Sequence, residues 1–204
     1  MKRTLTRKIE ITAEHKKIYI FSDGEKTETI YFKAKRDEVN NRLRRKDVVI
    51  KGTGYNTLSL VDFVLNENVD LIFDECWVVF DKDDHEEDFD EAIKKAKAKN
   101  LNVAYSNECF ELWFLLHFIP LVSAISRKDY NRKINENLNK IIKNPSLKYK
   151  KTFNIYPYIK EKEKYAIKNA ENLLREYKGE TFFKQNPSTT VHLLVESLNS
   201  LKNN

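Results

Sequence analysis

The sequence predicts an α/β fold in which helices flank a mainly parallel, four-stranded sheet, followed by a helical extension. Strand and helix patterns alternate four times over the first 120 residues, which is typical of parallel sheets. The third strand segment, ECWVVFD, is apolar on both faces, as expected of a strand covered by helices. After Pro120 the pattern becomes mostly helical. We therefore expect an α/β domain at residues 1–120 and a helical extension packed on it at residues 121–204.

The elements of the α/β domain follow from local composition. Runs rich in β-branched and aromatic residues predict the four strands at 17–21, 47–52, 75–81 and 101–106. Helical spacing of apolar residues predicts the four helices at 27–43, 56–68, 88–100 and 108–118. Asn56 is expected to cap the second helix, and Ser106 and Asn107 are expected to cap the fourth.

The extension is predicted to contain three helices. Their expected ranges are about 127–143, 157–178 and 188–202. Ser188 or Thr189 is expected to be the N-cap of the last one, because serine and threonine hydroxyls accept hydrogen bonds from the free N–H groups of a first turn.

Composition indicates a cytoplasmic protein without a membrane partner. No apolar run approaches the about 18 residues that span a bilayer, and the charged start of the sequence lacks the apolar stretch of a signal peptide. The two cysteines, Cys76 and Cys109, both lie in apolar segments. We expect them to be buried free thiols rather than a disulfide or a zinc site.

The charge of the chain is unevenly placed. Its net charge of +6 comes from basic clusters at 42–46, 94–99 and 148–151, whereas acids concentrate at 80–91. A basic surface around an acidic pocket suits a polyanion held by its phosphates. The alternative for each cluster is a solvated helix face or turn. The candidate nucleic-acid contacts are Arg42, Arg44, Arg45, Lys148, Lys150 and Lys151.

Acidic residues follow the first and third predicted strands. Asp23, Glu25 and Glu28 follow the first strand, and Asp81 and Asp83 follow the third. The carboxyl ends of parallel strands share one edge of the sheet, so the two groups should meet, and like charges repel strongly unless a cation lies between them. Oxygen ligands favour Mg²⁺ or Mn²⁺ over zinc. The alternative is a solvated acidic loop that leads into a helix N-terminus.

Three further side chains are candidates for a role at this site or in the core. Glu111 lies in the otherwise apolar run CFELWFLLHF, where a carboxylate must be hydrogen-bonded to backbone amides, paired or functional. His85, beside the aspartates, is a candidate for proton transfer. His117 lies one turn after Trp113 and is expected to pack or to cap its helix.

Four stretches resemble, in order, the motifs of the RloB-like family. They are SDGEKTETIYF, VVFDKDDH, SNECFELWFLLHF and NPSTTVHLLVESL. The resemblance implies a Toprim-like fold and metal-dependent phosphodiester chemistry, with Asp81 and Asp83 as the D-x-D pair and Glu28 as the second glutamate of the opening motif. Asp23 stands where the family has a glutamate, and Glu108 stands where it usually has a proline.

The resemblance favours a Toprim-type, Mg²⁺-dependent nuclease in anti-phage defence. Asp23, Asp81 and Asp83 would hold Mg²⁺ or Mn²⁺, and Glu28 would complete the shell or orient the attacking water. Glu111, His85 and Glu25 would support the site or transfer protons. The family also implies a partner ATPase of the AAA type. The alternatives are a non-catalytic subunit that binds nucleic acid or regulates a defence complex, and a nucleotidyl transferase or primase.

Overall fold

The structure is a computed structural model that describes residues 16–43, 48–82, 86–143, 146–177 and 179–201. Within these ranges one five-stranded sheet has the order β2-β1-β3-β4-β5. Its strands are β1 (Ile18–Ser22), β2 (Val48–Gly52), β3 (Glu75–Asp81), β4 (Asn102–Asn107) and β5 (Ser188–Thr189). The first four strands are parallel, and β5 pairs antiparallel with β4. The predicted α/β class is confirmed, with β5 as an addition.

Eight α-helices surround and extend this sheet in the described part of the chain. They are α1 (Thr27–Leu43), α2 (Thr57–Leu65), α3 (Glu86–Ala98), α4 (Glu111–Leu116), α5 (Arg127–Ile142), α6 (Tyr156–Ile159), α7 (Glu163–Arg175) and α8 (Val191–Ser200). The helix predicted at 157–178 is divided by a 3₁₀ turn at Lys160–Lys162. None of the helices described is long and apolar enough to cross a membrane.

The core has two parts, one on each face of the sheet. Alternate residues of β1 and β3 point to opposite faces, so Ile20 and Val79 belong to one cluster, whereas Phe21 and Phe80 belong to the other. The first cluster also contains apolar residues of α4, α5, α7 and α8. The C-terminal helices therefore share a core with the α/β part, which explains why every residue of α4 after Glu111 is apolar.

The predicted caps Ser106 and Asn107 are wrong. The N-cap position of α8 is Thr190 rather than Ser188 or Thr189, but the Thr189 hydroxyl accepts a hydrogen bond at 3.2 Å from the N–H of Val191, the first residue of α8, as expected of a capping hydroxyl. Ser106 and Asn107 end β4, and the side chain of Asn107 donates to the backbone carbonyls of Phe182 and Phe183. Ser188 and Thr189 form β5, where the Thr189 hydroxyl donates to the carbonyl of Tyr105 at 2.9 Å. Ser106 and Thr189 also pair with each other across β4 and β5, where their buried hydroxyls lie 3.1 Å apart. The predicted N-cap position of Asn56 is confirmed, but its side chain makes no capping hydrogen bond.

A buried lysine connects α1 to the C-terminal helices. Lys35 is only 1% exposed, and its Nζ donates to Glu163 Oε2 at 2.5 Å and to Asn199 Oδ1 at 2.7 Å. A cation this deeply buried depends on the opposite charge beside it. These contacts therefore fix α7 and α8 against α1.

Replacing Glu163 with glutamine should lower the free energy of unfolding by about 3 kcal/mol, because the buried Lys35 ammonium loses its carboxylate. Urea denaturation followed by tryptophan fluorescence measures the change. The matched control is Glu136→Gln, which breaks an ion pair with Arg132 on the exposed face of α5 and should cost less than about 0.5 kcal/mol. Equal effects of the two substitutions would contradict the assigned role of Lys35.

Candidate metal centre

The turn after β1 is built around Gly24. The Ser22 hydroxyl donates to the carbonyl of Gly24 at 2.8 Å, and the Thr29 hydroxyl donates to the same carbonyl at 3.0 Å. Glu28, in the first turn of α1, is buried with its carboxylate against Gly24, where a Cβ atom would overlap it. The absence of a side chain at position 24 therefore makes room for the Glu28 carboxylate.

Asp23 lies where β1 ends beside β3. Its backbone N–H donates to the carbonyl of Val79 at 3.0 Å. Its carboxylate accepts hydrogen bonds from the backbone N–H of Gly24 at 2.5 Å and from that of Asp81 at 3.1 Å. The predicted meeting of the two acidic segments at one edge of the sheet is thus confirmed for Asp23 and Asp81.

The carboxylates at this edge are crowded and partly removed from water. Oδ1 of Asp81 is buried and has no hydrogen-bond partner among the described residues. Burial raises the pKa of Asp81 well above its usual range, and the charges of Asp23, Glu28 and Glu111 raise it further. Burial, followed by the charge of Asp23, raises the pKa of Glu28 to about 8. The site therefore favours either added protons or a cation.

Glu111 contributes to the same electrostatic field from the start of α4. It is buried, and its Oε1 accepts a hydrogen bond from the Tyr149 hydroxyl at 2.9 Å. Burial and this carboxylate raise the pKa of Tyr149. The partner in this bond is thus a tyrosine hydroxyl rather than the backbone amides expected from the sequence. Because its charge raises the pKa values of Glu28 and Asp81, Glu111 forms with Asp23 and these two residues the acidic cluster discussed below.

A cavity of about 500 Å³ opens over the acidic cluster and has basic groups on its rim. Asp23, Glu28 and Asp81 line it, and Arg127 and Lys151 bring positive charge to it. The Arg127 guanidinium is held in place because Nη2 donates to the carbonyls of Lys82 and Glu108, both at 2.9 Å. The cavity can therefore receive an anionic group beside its basic side chains, which also include Lys26, provided that a divalent cation offsets the acids.

A comparison with known protein families agrees with the resemblance of the four motifs. The family model described as RloB-like protein matches residues 18–198, from the start of β1 to near the end of α8. The chain belongs to the RloB-like family. No curated protein and no solved structure matches the chain. The region shared with RloB-like proteins therefore includes both the acidic edge of the sheet and the C-terminal helices.

The other predicted site residues of this RloB-like protein do not all line the cavity over the acidic cluster. Glu25 is exposed and lines the cavity over the acidic cluster. Lys151 lines it too, whereas Lys148 and Lys150 line a different cavity, beside Phe153. The part of the chain that the structure describes does not include Asp83, His85, Arg44, Arg45 or the side chain of Arg42, so their roles stay predictions.

His117 and the cysteines are core residues of the RloB-like protein. The imidazole of His117 packs edge-on against Trp113, with ring centroids 4.7 Å apart, and its Nδ1 lies 2.8 Å from the Trp113 carbonyl. Burial lowers the pKa of His117 to about 3, so the expected packing role is confirmed. Cys76 and Cys109 are buried free thiols, as predicted, and burial raises the pKa of Cys76 to about 12.

Sequence reasoning did not single out three side chains that line the cavity, namely Lys26, Tyr55 and Arg127. Arg127 follows Ser126, which caps α5 by accepting a hydrogen bond from the N–H of Asp129. This capping pattern predicts where the helix begins, but nothing in the local sequence indicates that the helix begins beside the end of β3. Tyr55 lies in the loop after β2, with no charged neighbour in the sequence to single it out.

The donor chemistry of the RloB-like site fits a hard divalent cation. Among the residues described, no three His, Cys, Asp or Glu side chains are already grouped as a metal site would require. The buried Oδ1 of Asp81 nevertheless lacks a described partner, and the neighbouring donors are carboxylate oxygens, which Mg²⁺ and Mn²⁺ prefer. Asp83, the predicted further ligand, falls in the segment that the structure does not describe.

Proposed function

We propose that this RloB-like protein is a metal-dependent nuclease that hydrolyses phosphodiester bonds over the acidic cluster. The observation that carries the proposal is the contact between the Asp23 carboxylate and the backbone N–H of Asp81, 3.1 Å apart. It brings acids from two strand ends together in a cavity with a basic rim. This combination of acids and cations suits a bound phosphate chain and a divalent cation.

Each group of the site has a proposed task. Asp23, Asp81 and Asp83 would hold Mg²⁺ or Mn²⁺, which when bound supplies charge stabilisation to phosphoryl oxygens and acidifies water. Arg127 and Lys151 would bind and orient the phosphate backbone. Glu28, in the first turn of α1, would complete the metal's shell or orient the attacking water, because it lines the same cavity as Asp23 and Asp81.

A non-catalytic subunit is the second candidate function, and one observation favours it. Burial and neighbouring charge raise the pKa values of Glu28 and Asp81, so protons on these two carboxyl groups can lower the negative charge of the acidic cluster in place of a cation. In that case the basic rim would bind nucleic acid without cutting it. The defence role and the AAA-type ATPase partner remain predictions from the family resemblance in either case.

A cleavage assay tests the nuclease proposal. The protein is incubated with end-labelled RNA and DNA, single- and double-stranded, in Mg²⁺, Mn²⁺ or EDTA, with and without the predicted ATPase. The double variant Asp23→Asn/Asp81→Asn, purified in parallel, reports any contaminating nuclease. We expect cleavage by the wild type with a divalent cation and none by the double variant. Equal cleavage by both proteins, or no cleavage of any substrate by folded wild type, would contradict the proposal.

A further inference from the structure

An exposed aromatic ring lies on the rim of the cavity over the acidic cluster. Tyr55 is 46% exposed and lines the same cavity as Asp23 and Asp81. The ring of Phe63, from α2, stacks on it with centroids 4.9 Å apart and an interplanar angle of 27°. Phe63 covers one face of the tyrosine ring, so the exposed area lies on the opposite face and the edges.

The loop that carries Tyr55 is fixed to the end of β1. Thr53 donates through both its N–H and its hydroxyl to the carbonyl of Ser22, at 2.9 and 3.0 Å. The N–H of Tyr55 donates to the Thr53 hydroxyl at 3.2 Å, and the N–H of Gly54 donates to the carbonyl of Asp23 at 3.0 Å. Gly54 has a φ of 72°, which glycine adopts without strain. The aromatic ring is therefore held at a set position relative to the acids.

Three cationic side chains line the cavity. Lys26, Arg127 and Lys151 line it together with Tyr55. A single strand of nucleic acid presents phosphates and unpaired bases side by side, and proteins that bind such strands combine basic groups with aromatic rings on which the bases stack. In a duplex the base faces are covered by neighbouring bases, so an isolated ring on a rim cannot reach them without unstacking.

We propose that the outer face of Tyr55 stacks on an unpaired nucleobase, so that the cavity takes single-stranded nucleic acid or an unpaired end. The inference rests on the proposed function in that it requires this cavity to hold nucleic acid. It adds the substrate class and names Tyr55 as the residue that selects it. Phe63 supports the ring from behind, and the cations position the phosphates next to the stacked base.

Binding measured without cleavage tests the inference. Fluorescence anisotropy is recorded with labelled single-stranded and duplex oligonucleotides, of both RNA and DNA, in Ca²⁺ and in EDTA. Tyr55→Ala should weaken single-strand binding by roughly five- to a hundredfold, the range expected for the loss of one stacked base. Tyr55→Phe should bind within about twofold of wild type, because the stacking face is kept. The matched control is Tyr165→Ala, a 43% exposed tyrosine on α7, which should leave binding unchanged.

An abasic scan distinguishes stacking from a general effect on the site. An abasic nucleotide at one position should weaken binding to wild type and should have no further effect on Tyr55→Ala. The inference is overturned if wild type binds no single strand, if folded Tyr55→Ala binds like wild type, if it loses duplex binding equally, or if Tyr55→Phe is as weak as Tyr55→Ala. If Tyr55→Ala weakens single-strand binding as expected but the wild type does not cleave with a divalent cation, only the nuclease proposal is contradicted. If the wild type cleaves and Tyr55→Ala binds as tightly as the wild type, only the stacking is contradicted.

Discussion

Replacing Asp81 with asparagine should lower the rate of metal-dependent cleavage by about a thousandfold or more. A decrease of this size is expected when the loss of a metal ligand removes several kcal/mol of transition-state stabilisation. The substitution keeps the size of the side chain and removes the ionisable carboxyl group, whose Oδ1 is buried. It leaves the contact with Asp23 possible, because Asp81 donates in that contact through its backbone N–H. It also removes one of the mutually repelling carboxylates. The variant should therefore be at least as stable as the wild type without metal.

Single-turnover cleavage and thermal unfolding, measured on the same preparations, test this expectation. The matched control is Asp62→Asn, which removes one charge from an exposed carboxylate on α2 that pairs with Lys95. Its cleavage rate should stay within about twofold of wild type, because an exposed pair of this kind contributes little. If Asp81→Asn cleaves at the wild-type rate, Asp81 is not a metal ligand. A loss of activity together with a loss of folding would contradict the expected stability.

The sheet and its acidic edge could be predicted because they depend on periodic patterns. β3 is apolar on both faces, which requires helices on both sides, and the parallel order then places the ends of β1 and β3 together. The meeting of Asp23 and Asp81 follows from that topology without any knowledge of their side-chain contacts. Their catalytic role and the identity of the cation do not follow from it and remain predictions.

What could not be predicted depends on tertiary contacts between distant segments. Ser188 and Thr189 precede a helix, and their hydroxyls suit an N-cap as well as a strand at the edge of the sheet. The local sequence therefore could not distinguish β5 from a helix cap. Lys35 lies in a run of charges typical of a solvated helix face, yet it is buried because α7 and α8 supply its partners. Arg127 lies beside the acidic edge because it donates to the carbonyls of Lys82 and Glu108, which are distant from it in the sequence.

Replacing Glu28 with glutamine should make the metal-free protein more stable at alkaline pH. The pKa of Glu28 is about 8 in the folded protein against an ordinary value of 4.5. Below the ordinary value the carboxyl group is protonated in both the folded and the unfolded chain, and the stability that it contributes is fully present. As the pH rises toward 8, the unfolded chain releases the proton and the folded protein retains it, so this stability is lost. Glutamine cannot ionise and avoids the loss.

The difference in free energy of unfolding between Glu28→Gln and wild type should be near zero at pH 4.5 and should grow to the order of 4 kcal/mol at pH 8. Urea denaturation in EDTA measures both proteins across this range. Taking the difference cancels titrating groups that do not interact with Glu28, such as His117. Glu161→Gln, at an exposed position in the 3₁₀ turn before α7, should show no such growth. A pH-independent difference would show that the Glu28 pKa is not raised.

Mg²⁺ or Mn²⁺ should shrink this difference at pH 8. A divalent cation favours the charged form of the carboxylates around it, so its binding stabilises folded wild type by an amount that grows with its concentration. Glu28→Gln should gain less, because the site has one charge fewer. If either cation stabilises both proteins equally, Glu28 lies outside the metal shell. If neither cation stabilises the wild type, protons rather than a metal offset the charge of the acidic cluster, and the non-catalytic function is favoured.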